Sequence, residues 1–296
     1  MKKIFCLLFL TVTLLCTLLP AMAKIHVVAA TTDFADITRQ IGGARVQVDT
    51  LARGDQDLHH VDPRPSFVTK ITNADLVVRI GMDLDLWMDS LLAAARNGKV
   101  REGGPGYVDA SVGIQRLEVP TSKLDPSKGD IHVYGNPHYW LDPENGKIIA
   151  GNIGAALKRV DPTGAAAYDQ GYQRFIAALD EHMTRWKQQM APLRGSYFVT
   201  YHTTYSYFFH RFGLKLADTM ETKPGILPSA AHVDELVRTM KVDHVKAVMT
   251  CPYYSTRFTD LVHRETGAAI LILPSSTSGD YFSLFDTLIA QLLAAQ

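Results

Sequence analysis

Short apolar runs alternate with amphipathic runs along most of the chain, and this alternation is the strongest constraint on its fold. The first half offers the strand-like runs IHVVAA, VQVDTLA and DLVVRIG, and the second half offers YFVTYH, LKLADTM, VKAVMTC and AAILILP. Helix-like segments such as DFADITRQIGG and AAHVDELVRTMK separate them. Strands that alternate with helices are typical of parallel sheets with crossover helices. The pattern therefore predicts two α/β lobes.

A segment between the halves has a different period. Its large apolar residues recur every three or four positions, which predicts one helix with a single apolar stripe; they are Tyr168, Tyr172, Phe175, Leu179, Met183, Trp186 and Met190. At ~1.5 Å per residue, roughly 28 helical residues span about 42 Å. We interpret residues 164–193 as a helix linking an N-terminal lobe, 24–163, to a C-terminal lobe, 194–296. Periodicity alone also allows a long helix that belongs to one lobe.

The first 23 residues read as an export signal. Two lysines at positions 2 and 3 precede an apolar run over residues 4–19, and the small-residue ending Ala-Met-Ala occupies residues 21–23. This order is typical of a cleaved secretory signal, so we expect the mature chain to begin near Lys24 in the periplasm. The alternative is an uncleaved membrane anchor, because the apolar run is only slightly shorter than a spanning helix.

Cleavage of that signal would leave one cysteine. Cys6 and Cys16 would be removed with it, and Leu15 stands where a small residue is expected before a lipidated cysteine. The remaining Cys251 cannot form an internal disulfide or a cysteine-rich zinc site. It follows a strand-like run, so we expect a buried thiol rather than a catalytic one, since no activating base stands nearby.

The first of three histidine-bearing loops follows the strand VQVDTLA, at residues 54–66. His59 and His60 are adjacent there, and Pro63 and Pro65 restrict the backbone after them. The carboxyl ends of strands are where α/β lobes gather their ligand sites. One imidazole could therefore point inward and the other outward. Taken alone, the loop is equally consistent with a solvated turn.

The second loop is GNPHYWLDP, residues 135–143. Pro137 and Pro143 restrict the backbone on either side of His138, and Tyr139 and Trp140 supply bulky packing. The stretch therefore predicts a stiffly held imidazole. A structural loop with a hydrogen-bonded histidine is the alternative interpretation.

The third loop contains His202, at the end of the strand-like run YFVTYH and before an aromatic-rich helix. Those aromatic residues could shield a metal from water or simply form core. Asp280 follows the last strand and could add an oxygen ligand, although aspartate also serves well as a helix N-cap. Three imidazoles and one carboxylate would complete a tetrahedron around zinc if they converged. Periodicity cannot establish that convergence.

Five motifs together resemble a known family. DLHHVDPRPS, NPHYWLDP, YHTTYSYF, METKPGILPS and SGDYF follow, in this order, the pattern of periplasmic solute-binding proteins that serve ABC transporters for zinc and manganese. The resemblance implies two Rossmann-like α/β lobes joined by a long helix, with a metal site in the interlobe cleft. It implies the ligands His59, His138, His202 and Asp280.

The chain departs from the family pattern in two places. Leu58 stands where many members have proline before the first histidine. The histidine-rich insertion that some zinc-specific members carry before the N-P-H motif is also missing, and only His132 lies there. The missing proline predicts a loop with a less restricted backbone before His59. The missing histidine-rich insertion argues against a metal-capturing flap.

The expected cargo is Zn²⁺, because imidazole suits zinc whereas manganese favours more carboxylate and water oxygen. The resemblance implies a non-enzymatic carrier that delivers the metal to an ABC-transporter permease, with a periplasmic metallochaperone as a further partner. We expect a monomer. Thirty basic and thirty acidic residues give no basic excess, which argues against nucleic-acid binding. The alternatives are a manganese carrier, an exported zinc hydrolase with Asp280 or Glu221 as base, and a surface adhesin.

Overall fold

The computed structural model describes residues 23–121 and 132–295 of the chain. The predicted signal segment, with Cys6 and Cys16, lies outside the described residues except for Ala23. Within the described ranges, no helix is long and apolar enough to cross a membrane.

The N-terminal lobe is built on a four-stranded parallel sheet in the order β2-β1-β3-β4. Its third strand is buried along its whole length, as expected of a parallel sheet covered on both faces. The strands are β1 Ile25–Ala29, β2 Val46–Thr50, β3 Leu76–Arg79 and β4 Tyr107–Asp109. The helices are α1 Thr32–Gly42, α2 Pro65–Thr72, α3 Trp87–Ala95 and α4 Asn145–Val160.

The C-terminal lobe repeats the topology, with a second parallel sheet in the order β6-β5-β7-β8. The strands are β5 Tyr197–Thr200, β6 Lys215–Thr219, β7 Ala247–Thr250 and β8 Ala269–Ile272. The helices are α6 Ser206–Phe212, α7 Ala230–Val242, α8 Arg257–Thr266 and α9 Tyr281–Ala294. Glycines with positive φ, Gly213 and Gly267, end α6 and α8. The prediction of two α/β lobes is confirmed.

A 26-residue helix, α5 (Ala165–Met190), runs between the two sheets in sequence. Its buried stripe comprises Tyr168, Gly171, Phe175, Leu179, Met183, Trp186 and Met190. The helix packs against α1 and α4, and also against α9, which returns from the end of the chain. A Cβ at Gly171 would lie 2.1 Å from the carbonyl oxygen of Ile41, so this close helix approach requires glycine. The long helix thus joins elements from both halves of the sequence.

Buried polar contacts join the two lobes near the carboxyl ends of their strands. The Asp33 carboxylate, on α1, accepts hydrogen bonds from the Ser276 hydroxyl and from the Thr277 backbone N–H, the latter at 2.9 Å. Arg211 of α6 forms a two-pronged ion pair with Asp142 at 2.6 and 2.7 Å. The Arg211–Asp142 pair joins the helix that follows His202 to the segment that carries His138.

Candidate metal centre

Three histidines from distant loops meet at one point between the lobes. His59 lies in the loop after β2, His138 precedes a short 3₁₀ turn, and His202 lies two residues after the end of β5. One possible ligand atom from each lies within 4.8 Å of the others, and this is the only such histidine, cysteine or carboxylate group among the described residues. His138 and His202 are buried, with 3% and 5% of their surface exposed.

The spacing of the three rings fits one tetrahedral ion. Each pair of ring centroids lies 5.2 Å apart. A zinc–nitrogen bond of ~2.0 Å places an imidazole centroid about 3.2 Å from the ion, so tetrahedral ligands have centroids about 5.2 Å apart. The histidines therefore form one face of a tetrahedron of the correct size.

A side-chain oxygen faces Nδ1 of each of these rings. Because carboxylates and the amide oxygen accept hydrogen bonds, each ring is assigned a proton on Nδ1, which leaves the Nε2 lone pair for a metal. The Nε2 of His59 is buried and lacks a hydrogen-bond partner. The Nδ1–oxygen pairs, all at 2.9 Å, are His59 with Asp57, His138 with Asn136, and His202 with Glu221.

Burial keeps two of the rings uncharged. Desolvation lowers the pKa of His59 below its ordinary value and lowers the pKa of His138 well below it. Although burial alone would raise it, hydrogen bonds from the side chain and backbone of His59 hold the pKa of Asp57 well below its usual range. Neutral imidazoles backed by an ionised carboxylate are effective metal ligands at neutral pH.

The loop that carries His138 is anchored on several sides. The Tyr139 hydroxyl donates to the carbonyl oxygen of Ile80 at 2.7 Å, and the Trp140 indole N–H donates to that of Ser275 at 2.8 Å. The Trp140 ring also packs 5.5 Å from the His138 ring, measured between centroids. The expected stiffness thus has a physical basis in side-chain contacts from both lobes.

In the first loop, the structure places His59 in the cluster and leaves the His60 side chain 68% exposed. Leu58, at the position where the resemblance leads one to expect proline, is buried, and its carbonyl oxygen accepts a hydrogen bond from the Trp87 indole at 3.1 Å. Tertiary contact therefore braces the loop where the sequence lacks the proline.

The structure does not bring Asp280 to the three histidines. Its carboxylate caps α9, with its two oxygens accepting from the backbone N–H groups of Phe282 and Ser283 at 3.3 and 3.0 Å, and the residue is exposed. The capping alternative thus describes its place in the fold. The family resemblance implies Asp280 as the fourth ligand, and that assignment stays a prediction; in this structure the carboxylate is engaged at the helix terminus.

Replacing Asp280 by alanine is expected to lower the free energy of unfolding by about 1 kcal/mol, the usual loss for an N-cap. Zinc affinity should change by less than about threefold if the carboxylate stays at this helix terminus when the ion binds. Asp280→Asn is the matched control, since asparagine also caps helices well. Chemical denaturation and zinc competition titrations measure the two quantities. Strongly weakened zinc binding in both variants would support the predicted role of Asp280 as a ligand.

Sequence reasoning missed the residues that orient the rings, although a local signal was present. Asp57 and Asn136 each stand two positions before a cluster histidine. In each case one side-chain oxygen accepts from both the backbone N–H and Nδ1 of that histidine, at 2.9–3.0 Å. The repeated spacing of an Asp or Asn, one intervening residue and a histidine could have predicted both pairs.

His132 was also missed as part of this region. Its ring centroid lies 5.2 Å from that of His59, and its Nδ1 lies 2.6 Å from an oxygen of Asp83. Its Nε2 is buried without a hydrogen-bond partner. No spacing in the sequence links His132 to His59 or Asp83, so only the fold reveals this neighbourhood.

Cys251 is buried outside the cluster, as expected from its place after a strand. Its Sγ lies 3.3 Å from the Tyr205 hydroxyl, and burial raises the pKa of the thiol. A thiol in such surroundings is a poor nucleophile.

Comparison with known proteins gives a consistent result. The model of the family described as ZnuA, zinc-uptake complex component A, periplasmic, matches residues 27–295. The high-affinity zinc uptake system protein ZnuA of Bacillus subtilis is 26% identical over 253 residues, covering 84% of this chain and 78% of that protein. The iron-binding protein YfeA of Yersinia pestis is 28% identical over 251 residues, covering 83% and 75%.

Solved structures share the fold. A crystal structure of ZnuA superposes with a TM-score of 0.79 at 23% identity, covering 92% of this chain and 98% of that one. A manganese-bound periplasmic metal-binding protein from candidatus liberibacter asiaticus superposes with a TM-score of 0.76 at 22% identity, covering 92% and 99%. At these identities the likeness concerns the fold alone.

Proposed function

Because the chain belongs to the periplasmic zinc-uptake component A family, whose members are metal-binding substrate-binding proteins of ABC transporters, we propose that it captures Zn²⁺ in the periplasm and delivers it to a membrane permease. The observation that carries the choice of metal is the triangle of three imidazoles with centroids 5.2 Å apart. A periplasmic metallochaperone that loads the protein is part of the proposal, as is a monomeric state.

The donor set supports zinc over the other metals for which relatives are named. Imidazole nitrogen suits zinc, whereas manganese prefers carboxylate and water oxygen. The carboxylates beside the cluster, Asp57 and Glu221, lie within hydrogen-bonding distance of imidazole Nδ1 atoms, so they orient the rings. Relatives named as iron-binding proteins show that the family accommodates more than one metal. The nitrogen-rich site of this chain is what favours zinc.

Capture requires a site formed before the ion arrives. The hydrogen bonds at Nδ1 fix the ring orientations, and the lowered pKa values of His59 and His138 keep those rings neutral near pH 7. A preformed set of neutral donors binds the ion without first losing protons or ordering side chains. Three imidazoles alone leave a fourth position open, as in catalytic zinc sites, and this feature is what favours a zinc hydrolase as second candidate.

We expect the metal-free protein to bind Zn²⁺ at least a hundredfold more tightly than Mn²⁺ at pH 7, because nitrogen ligands discriminate between these ions. Competition against chelators of known affinity measures both constants. Uptake of radioactive zinc by cells with and without the protein tests delivery to the permease. Equal or tighter binding of Mn²⁺ would contradict the proposed cargo, and unchanged uptake would contradict the transport function.

A further inference from the structure

We propose that His132 is a fourth ligand to the cargo ion, so that the loaded protein holds zinc by four imidazoles. This inference rests on the proposed function and extends the same site. It assigns a metal-binding role to a residue in the segment before the N-P-H motif, where the chain has a single histidine and no histidine-rich insertion.

The first observation is a pair of unsatisfied ring nitrogens. Among the described residues, the only buried histidine nitrogens without a hydrogen-bond partner are Nε2 of His59 and Nε2 of His132. Their ring centroids lie 5.2 Å apart, the same spacing as within the three-histidine cluster. Leaving a buried polar atom without a partner is costly. A single cation between the two neighbouring rings would satisfy both nitrogens.

The second observation is that His132 is held like the other ligands. The Asp83 carboxylate faces its Nδ1 at 2.6 Å and accepts from the Val133 backbone N–H at 2.9 Å. Asp57 and Asn136 likewise face Nδ1 of a cluster histidine and accept from a backbone N–H. All four rings are therefore assigned a proton on Nδ1, with Nε2 left as the donor atom.

The third observation is the strained turn that positions Asp83. Gly81, Met82 and Asp83 have φ values of 77°, 50° and 57°, and the left-handed region is unfavourable for the two that are not glycine. The buried Asp85 stabilises this turn, accepting from the backbone N–H groups of Ile80 and Gly81 at 2.7 and 3.3 Å. Strain of this kind persists where the surrounding structure imposes it, often at binding sites. In this turn, the backbone places the Asp83 carboxylate beside Nδ1 of His132.

The position of the His132 ring implies that the ring moves when the ion binds. The His132 nitrogens lie outside the group of ligand atoms that are mutually within 4.8 Å. The ring must therefore turn toward the ion on loading, pivoting about its contact with Asp83. Its arrival closes the fourth position against water, which separates a carrier from a hydrolytic site. A fourth nitrogen also strengthens the preference for zinc over manganese.

X-ray absorption spectroscopy of the zinc-loaded full chain tests the proposal by counting imidazoles. We expect four imidazoles in the wild type and three plus one oxygen ligand in His132→Ala. We expect four in His60→Ala as well, because the exposed His60 side chain is not part of the cluster. Zinc affinity should fall about 10–100-fold in His132→Ala, and it should fall less in Asp83→Asn, which retains the ligand but weakens its support. The cobalt-loaded forms report the same change as an altered ligand-field spectrum.

Three imidazoles with an exchangeable water in the wild type would overturn the role of His132 while leaving zinc transport intact. The same ligand count in wild type and His132→Ala would also overturn it. Failure of the wild type to bind zinc would instead defeat the proposed function itself. If circular dichroism shows that His132→Ala folds poorly, His132→Gln tests the same loss of one imidazole ligand with a polar side chain of similar size.

Discussion

Replacing His138 by alanine is expected to weaken zinc binding by a factor of about 100 to 1,000. Structural zinc sites contribute roughly 10–16 kcal/mol, so one ligand of a four-coordinate site supplies about 2.5–4 kcal/mol, equivalent to about 70–900-fold in affinity. His138 is 3% exposed and lies 5.2 Å from both His59 and His202, measured between ring centroids. Competition titrations at pH 7 with a chromogenic chelator measure the change.

The matched control is His60→Ala, which removes a histidine next to the site. The His60 side chain is 68% exposed and lies outside the three-histidine cluster. We expect its zinc affinity to stay within about threefold of the wild type, because no metal ligand is lost. A larger loss in His60→Ala than in His59→Ala would reverse the assignment of the ligand in this loop. Wild-type affinity in His138→Ala would reject the cluster as the zinc site.

The second large effect concerns Asp33, whose charge is buried where the lobes meet. Burial raises the pKa of this carboxyl from its ordinary 3.8 to about 6, although hydrogen bonds from Ser276 and Thr277 oppose the shift. The folded protein therefore binds a proton more tightly than the unfolded chain between these two pH values. Stability from this group is fully present below pH 3.8 and is lost as the pH rises through about 6.

Asp33→Asn is expected to remove this pH dependence. The difference in unfolding free energy between variant and wild type should shift in favour of the variant by roughly 2–3 kcal/mol from pH 4 to pH 7. Asparagine keeps an oxygen that accepts the Thr277 N–H without carrying a charge. Urea denaturation of metal-free protein across this pH range measures the difference.

Asp55→Asn serves as the control, because its side chain is 67% exposed and its ion pair with Arg53 lies at the surface. Exposed pairs of this kind contribute little, so its stability difference from wild type should vary little with pH. If the difference in unfolding free energy between Asp33→Asn and wild type also stays constant with pH, burial does not destabilise the ionised form of Asp33.

Local features explain which site predictions agree with the geometry. Pro137 and Pro143 restrict the backbone around His138, and the structure holds that ring rigidly. Asp280 directly precedes a helix, and its carboxylate caps that helix rather than reaching the cluster. A helix N-terminus offers unpaired N–H groups within two or three residues, so this local use of an aspartate is satisfied before any distant one. The assignment of Asp280 as a ligand, which the family resemblance implies, stays a prediction.

The sequence by itself determined the architecture, since the alternation of apolar strands with amphipathic helices specifies two parallel α/β lobes and the stripe in α5 specifies one long helix. The spacing of Asp57 to His59 and of Asn136 to His138 is a local signal that could also have predicted their hydrogen-bonded pairs. Only the tertiary structure decided that His59, His138 and His202 meet, and that His132 lies beside them. The reason is that period and capping act over a few residues, whereas convergence depends on how two lobes pack through side chains far apart in the chain.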